Sequence, residues 1–289
     1  MRPTLLILAA GLGSRYGGLK QLDGIGPNGE IMMDYSIHDA LKAGFGNIVL
    51  LVQEQMVPIL TQRYLIKQNL PLTFVIQEKR IVRSHQVYEN DQPWGTAHAL
   101  WCTRKKIKNN FLLINADDFY GKNSFALAYK HLIQFNYPCS IVFPILKTLS
   151  ENGRVNRAEI QIENGFMIDS VEREKIYKSP RGIYYLNEKG ESIELSQNSW
   201  VSMNMWGFTT AIFDFLEEDL DAFIIDWQAN HKLEYQLPNV VNSMIKKAKS
   251  SIKVIPTNED WIGITYKEDK QQTTLRLKQL HESGIYESK

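Results

Sequence analysis

The chain has 289 residues, with 33 Lys and Arg against 32 Asp and Glu and a formal net charge of +1 at pH 7. That balance argues against a sequence-independent nucleic-acid binder, which needs a basic excess to neutralise phosphates. No apolar run approaches the roughly 18 residues of a membrane span, Met1 leads directly into a strand with no signal peptide, and the widely spaced Cys102 and Cys139 read as buried thiols, so a cytoplasmic protein is expected. The histidines form no HxxxH motif and the cysteines no CxxC, which leaves no soft-metal site to propose.

Leu5–Leu8 is a short apolar run of the kind that forms a fully buried strand. Ala9, Ala10, Gly11 and Gly13 follow, and their lack of side chain lets backbone N–H groups approach a ligand. Arg15 then adds a planar fork of donors and Lys20 a point charge, both suited to phosphate. The stretch is neither GxxxxGK[ST] nor GxGxxG, because Tyr16 stands where a third glycine would be, so a phosphate cradle competes with a plain Gly-rich turn.

Gly24–Glu30 is rich in turn residues. Apolar positions 33, 37, 40 and 41 predict a helix over Met32–Ala43 closed by Gly44. Ile48–Val52 and Leu72–Ile76 read as strands around a helix over Met56–Gln68. Such alternation implies a parallel sheet with helices on both faces, and ligands collect at the carboxyl ends of its strands.

In Asn90–Ala97, Pro93 stops regular structure while Gly95 and Thr96 begin a helix running to about Arg104. Small residues at a helix start let a flat base stack near the backbone, and Asn90 carries a donor and an acceptor for its edge; an ordinary helix cap is the alternative. The strand Phe111–Ile114 delivers Asp117 and Asp118. Adjacent carboxylates at the carboxyl end of a central strand call for a cation, and Mg2+, held by one or two carboxylates plus phosphate oxygens, fits that need. A solvated loop cap would explain them too.

A helix over Ser124–Phe135 and a strand over Ser140–Leu146 follow, and then the pattern changes. Short alternating runs at Ala158–Ile162, Phe166–Val171 and Ile183–Leu186 read as hairpins, and Ser199–Phe208 as a strand with Asn204 amid aromatics. Helices are expected over Thr210–Leu220, Asn239–Ala248 and Thr273–Glu282, with a last strand at Ser251–Ile255. Trp200, Trp206, Trp227 and Trp261 suit either sugar faces or a core. The expected organisation is a single unit over 1–289, with a nucleotide-binding half (1–146) and an acceptor-binding half with C-terminal helices (147–289).

Taken together, Leu8-Ala9-Ala10-Gly11-x-Gly13-Ser14-Arg15, Lys20-Gln21, Pro93-x-Gly95-Thr96-Ala97-x-Ala99-Leu100 and an Asp at the end of the next strand resemble the sugar-nucleotidyltransferase family, the nucleotide-sugar pyrophosphorylases. The resemblance covers most of the chain and is strongest over residues 4–121. It implies a Rossmann-like, glycosyltransferase-A-type α/β three-layer sandwich with a mostly parallel mixed sheet and a small β-rich acceptor subregion. Carried over by position, it implies that Ala10, Gly11 and Gly13 hold the nucleotide by backbone, that Arg15 grips the β- and γ-phosphates, and that Lys20 neutralises the α-phosphate. Asn90, Gly95 and Thr96 would contact the base, and Asp117 would bind Mg2+ with Asp118 beside it on the acceptor side. Glu172 and either Arg173 or Lys175 resemble the family's Glu-Lys motif for sugar hydroxyls and acceptor phosphate, and Asn204 its sugar-contacting Asn. The sequence departs from the pattern at Leu19, where the family usually has Pro, in the spread Glu172-Arg173-Glu174-Lys175, and at Gly263, where an Asp often completes the metal site; Asp260 is a weak candidate for that second ligand.

The implied activity is Mg2+-dependent transfer of a nucleotidyl group from a nucleoside triphosphate to a sugar 1-phosphate, releasing pyrophosphate. The expected partners are therefore those substrates, without nucleic acid or membrane, and a homo-oligomer is compatible with the sequence. Two alternatives stand beside it: transfer to a non-sugar phosphate such as a polyol or choline phosphate, and a non-catalytic nucleotide sensor.

Overall fold

Leu5 and Ile7 face one way and Leu6 the other, and all three are wholly buried, so the first strand is covered on both sides. The computed structural model of the chain describes residues 1–11, 20–83, 85–247, 250–264, 266 and 268–286, with Lys20 described by its backbone alone. In chain order the first half comprises β1 (Thr4–Leu8), α1 (Met32–Ala43), β2 (Asn47–Val52), α2 (Val57–Leu60), β3 (Leu72–Ile76), β4 (Arg80–Arg83), β5 (Gln86–Glu89), α3 (Thr96–Cys102), β6 (Phe111–Asn115), β7 (Asp118–Phe119), α4 (Lys122–Gln134) and β8 (Cys139–Pro144). The second comprises β9 (Val155–Glu163), β10 (Phe166–Ser179), β11 (Gly182–Leu186), β12 (Ser192–Leu195), β13 (Trp200–Phe208), α5 (Ala211–Ala229), α6 (Leu237–Lys246), β14 (Lys253–Pro256), β15 (Ile262–Gly263) and α7 (Asp269–Glu282).

The main sheet runs β12-β11-β10-β14-β8-β13-β6-β1-β2-β3, with β9 pairing β10 and β13. Strands β6, β1, β2 and β3 are parallel to one another, and β14 is parallel to β8. Between β6 and β8 lies β13, antiparallel to both. One face of the sheet packs α1 and α4 around Leu5, Ile7, Ile48 and Ile114; the other packs α3, α5 and α6 around Leu6, Val49 and Leu113. This is a Rossmann-like α/β sandwich with a mixed sheet whose central part is mostly parallel, as the alternation of elements implies. The hairpins β9 to β12 extend it as a β-rich subregion.

Several elements differ from the sequence reading. The helix expected over Met56–Gln68 is α2 followed by a π-turn, Thr61–Ile66, from which Arg63 and Tyr64 both donate to Asp34 of α1. The β4–β5 hairpin was not expected; its Arg83 pairs with Glu217 and Asp221 of α5. A ribbon formed by β7 and β15 escapes periodicity because each strand has two residues. Helix α5 continues past Leu220 to Ala229. No described helix is long and apolar enough to cross a membrane, and both cysteines are buried and free.

Candidate active site

Parallel strands end together, so β1, β2, β3 and β6 deliver their following residues to one edge of the sheet. After β1, Ala9 N–H bonds to Leu51 O at 2.7 Å. The amide of Gln53, just beyond β2, donates to Ala10 O at 2.9 Å, and Gln21 donates to Gly11 O at 2.9 Å. Two side-chain amides thus hold the entry to the Gly-rich loop from either side. Gly13 and Arg15 lie outside the described residues, and so does the side chain of Lys20, whose backbone opens a 3₁₀ turn, Lys20–Leu22.

Beside Ala10 a cavity of about 660 Å³ opens at the carboxyl ends of β2 and β3, walled by Gln53, Gln77, Asp91, Gln92 and Trp94. Trp94 is wholly buried, its ring packed against Trp227 and Phe223 and its Nε1 donating to Lys79 O at 2.8 Å, so it stiffens the wall from behind. Asn90 lies outside this wall: its Oδ1 accepts the Gln92 N–H at 3.3 Å and shapes the loop instead. Gly95 and Thr96 are engaged elsewhere. At φ +109° Gly95 meets Tyr235, whose carbonyl oxygen would sit 2.4 Å from an added Cβ. Ala97 N–H bonds to Tyr235 O at 2.9 Å, and Thr96 Oγ1 accepts the Leu237 N–H at 2.9 Å. The start of α3 therefore seats the segment leading into α6.

Asn115, Asp117 and Asp118 follow the central strand β6. Asp118 is buried; its Oδ2 accepts from Asn115 Nδ2 at 2.9 Å and lies 3.2 Å from the Tyr120 hydroxyl. Burial and the Asp118 charge push the Tyr120 hydroxyl well above its ordinary pKa, so it stays a protonated donor. Gly263 pairs with Asp118 across the β7–β15 ribbon, and a Cβ there would lie 3.0 Å from Asp118 Oδ1 and 2.3 Å from the Trp261 ring. Position 263 is thus closed to any side chain by its neighbours. Asp260 is bound by Lys147 at 3.1 Å and Arg276 at 2.5 Å; burial would raise its carboxyl, but those two cations hold it below the usual range. Among the described residues no cluster of three or more His, Cys, Asp or Glu could hold a metal. Asp117 and Asp118 supply hard oxygen donors, which suits Mg2+ completed by phosphate oxygens.

On the hairpin side, Arg157 of β9 is buried and donates to Thr148 O and Asn156 O, and burial brings its guanidinium down to about 10. Its charge acts on Asp118, Glu172 and Asp269. Burial pushes the Glu172 carboxyl up, Arg157 pulls it down and Glu174 adds to the rise. A bulge follows in β10 between Arg173 and Ile176, with Lys175 at φ +52° and its N–H on Asn156 Oδ1 at 2.9 Å. Arg173 is held by Glu159 at 2.9 Å and Tyr185 at 3.1 Å, whereas the exposed Lys175 ammonium bonds to none of the described residues. Asn204 donates to Asn115 and accepts from Trp206. Glu172, Asp118 and Asn204 are therefore linked through Arg157 and Asn115, neither of which the motifs single out. A cation at an inward position of an alternating strand, Arg157, was the available sequence signal.

A Rossmann-like sheet whose carboxyl edge carries a cavity and a carboxylate pair beside a Gly-rich loop defines a nucleotide-handling protein. Residues 5–261 match the family model for nucleotidyl transferases, and the chain belongs to that family. Among solved structures it is similar to a Bacillus anthracis protein provisionally described as a glucose-1-phosphate thymidylyltransferase, in complex with a sucrose (TM-score 0.65, 15% identity, covering 95% of this chain and 94% of that one). It is also similar to UDP-glucose pyrophosphorylase complexed with UDP-glucose (TM-score 0.64, 15% identity, 96% and 98%) and to the inositol-1-phosphate CTP transferase from T. maritima (TM-score 0.65, 13% identity, 96% and 96%). At such identities the likeness shows the shared fold. A comparison with curated proteins found no match.

Proposed function

We propose that the chain transfers a nucleotidyl group from a nucleoside triphosphate to a sugar 1-phosphate. The observation that carries this reading is the shared sheet edge, where the 660 Å³ cavity over β2 and β3 and the Asp117–Asp118 pair after β6 flank the loop after β1. The nucleoside would occupy the cavity, and its phosphates would run along Ala10, Gly11 and Gly13 towards Arg15 and Lys20. The acceptor would lie between Asp118, Glu172 and Lys175.

Both reactants are anions, so the protein's task is to neutralise their repulsion and fix the geometry. An acceptor phosphate oxygen attacks the α-phosphorus in line and pyrophosphate leaves; the acceptor is already ionised, so no side-chain base is required. Lys20 would sit at the α-phosphate, Arg15 on the departing phosphates and Lys175 on the acceptor phosphate. Asp117, with Asp118 beside it, would hold Mg2+, which when bound neutralises charge on the phosphate oxygens. Glu172, ionised, would accept hydrogen bonds from acceptor hydroxyls.

A pyrophosphate-release screen of nucleoside triphosphates against sugar 1-phosphates, with polyol and choline phosphates as controls and with and without Mg2+, tests the reading. Release with a sugar 1-phosphate supports it. Release with a non-sugar phosphate alone moves the acceptor class, and nucleotide binding without release with any acceptor overturns it in favour of a sensor.

A further inference from the structure

An indole nitrogen can only donate a hydrogen bond, and an ionised carboxylate can only accept one. A continuous line of side chains joins one of each. Trp206 Nε1 donates to Asn204 Oδ1 at 2.8 Å, Asn204 Nδ2 to Asn115 Oδ1 at 2.7 Å, and Asn115 Nδ2 to Asp118 Oδ2 at 2.9 Å. The donor-only indole dictates which way the Asn204 amide faces. That leaves Asn204 only a donor for Asn115, and Asn115 only a donor for Asp118. Neither amide can turn over without setting oxygen against oxygen or N–H against N–H, so the line has one polarity.

The backbone is shaped around this line. Asn204 sits at φ +61°, where the register of β13 with β8 shifts between Ser202 and Trp206. Asn is among the few residues other than Gly that accept this conformation, and such strain persists where the surroundings impose it. Trp206, 1% exposed, is fixed in the core and anchors the far end.

We propose that Asn204 is a positioning residue and not itself a ligand of the acceptor: working through Asn115, it aims the Asp118 carboxylate at acceptor hydroxyls. The proposal rests on the acceptor side assigned above. Asn204→Asp is the informative variant, since it keeps the size, the tolerance of positive φ and an acceptor for Trp206. Its second oxygen, however, meets that of Asn115. Asn115 then turns, presents oxygen to Asp118 and repels it.

The expected result is an acceptor KM raised on the order of tenfold, the scale of losing one charge-assisted hydrogen bond, with the nucleotide KM at its wild-type value. In an Asn115→Ala background the line is already cut, so Asn204→Asp should cost nothing further; a direct ligand would cost the same in both backgrounds. Additive costs, or equal changes in both KM values, overturn the proposal. A second readout needs no turnover. The Asn115 side-chain amide protons, followed by nitrogen-edited NMR of the free protein, should shift in Asn204→Asp and in Trp206→Phe, and unshifted signals overturn the line. If wild-type protein uses no acceptor in the screen, the acceptor role falls with the proposed function while the NMR result still decides the line itself.

Discussion

The sheet edge over β1 to β3 and the edge over β6 and β10 are held by different kinds of bond. At the first, neutral amides meet backbone: Gln53 and Gln21 cap the carbonyls of Ala10 and Gly11, and Trp94 donates to Lys79 O. At the second, charges face one another: buried Asp118 bonds to Asn115, while buried Arg157 acts on both Asp118 and the more exposed Glu172. The neutral amides hold the loop entry whatever the pH, whereas facing charges make the other edge depend on protonation and on exact pairing. The difference suits a ligand read by shape on one side and a hydroxylated anion on the other.

Four tests break or sharpen that contrast. Asp117→Ala, and equally Lys20→Ala, should lower kcat by at least ~10²-fold in a pyrophosphate-release assay, the scale of removing one preorganised electrostatic group. Full activity in either variant would remove that residue from the reaction. Gln53→Leu should raise the nucleotide KM roughly tenfold and leave the acceptor KM alone, because it leaves the Ala10 carbonyl without its amide. An acceptor effect of equal size would erase the distinction between the edges.

The third test uses pH. Burial holds the Glu172 carboxyl above its usual value in the folded chain, so acceptor affinity should fall as pH drops through a window higher than that of an ordinary carboxylate. Nucleotide affinity should not follow it there. Arg157 opposes the rise, so Arg157→Met should move the window higher still. The stability sign is the reverse of the common carboxylate case: the folded state takes up the proton first, and ionisation costs stability as pH rises past the unfolded value. Glu172→Gln should therefore unfold at a higher temperature than wild type at neutral pH while binding acceptor more weakly. Thr96→Val has the smallest expected effect, about 1 kcal/mol in denaturant unfolding for the lost Leu237 N–H bond, with the nucleotide KM unchanged.

The parallel strands, the helices around them and the carboxylate pair after β6 were legible because buried runs and short punctuation are local signals. Glu172 was reached through a resemblance, but its charged neighbour Arg157 was not, because what draws them together is tertiary. Gly95 and Thr96 show the same limit: their composition suits a ligand, yet they seat Tyr235 and Leu237, more than a hundred residues away. The β7–β15 ribbon is too short to carry a period.

The antiparallel β13 has a consequence for how the chain comes together. It stands between β6 and β8, so the hydrogen-bonding rims of those strands face one another only through Trp200–Phe208. During synthesis the early strands must wait for this segment before the middle of the sheet can close, and long-range pairing of that sort is slow. A fragment ending at residue 146 would leave one border of β6 and both borders of β8 open, an invitation to self-association, and should be recovered as aggregate where the whole chain is not.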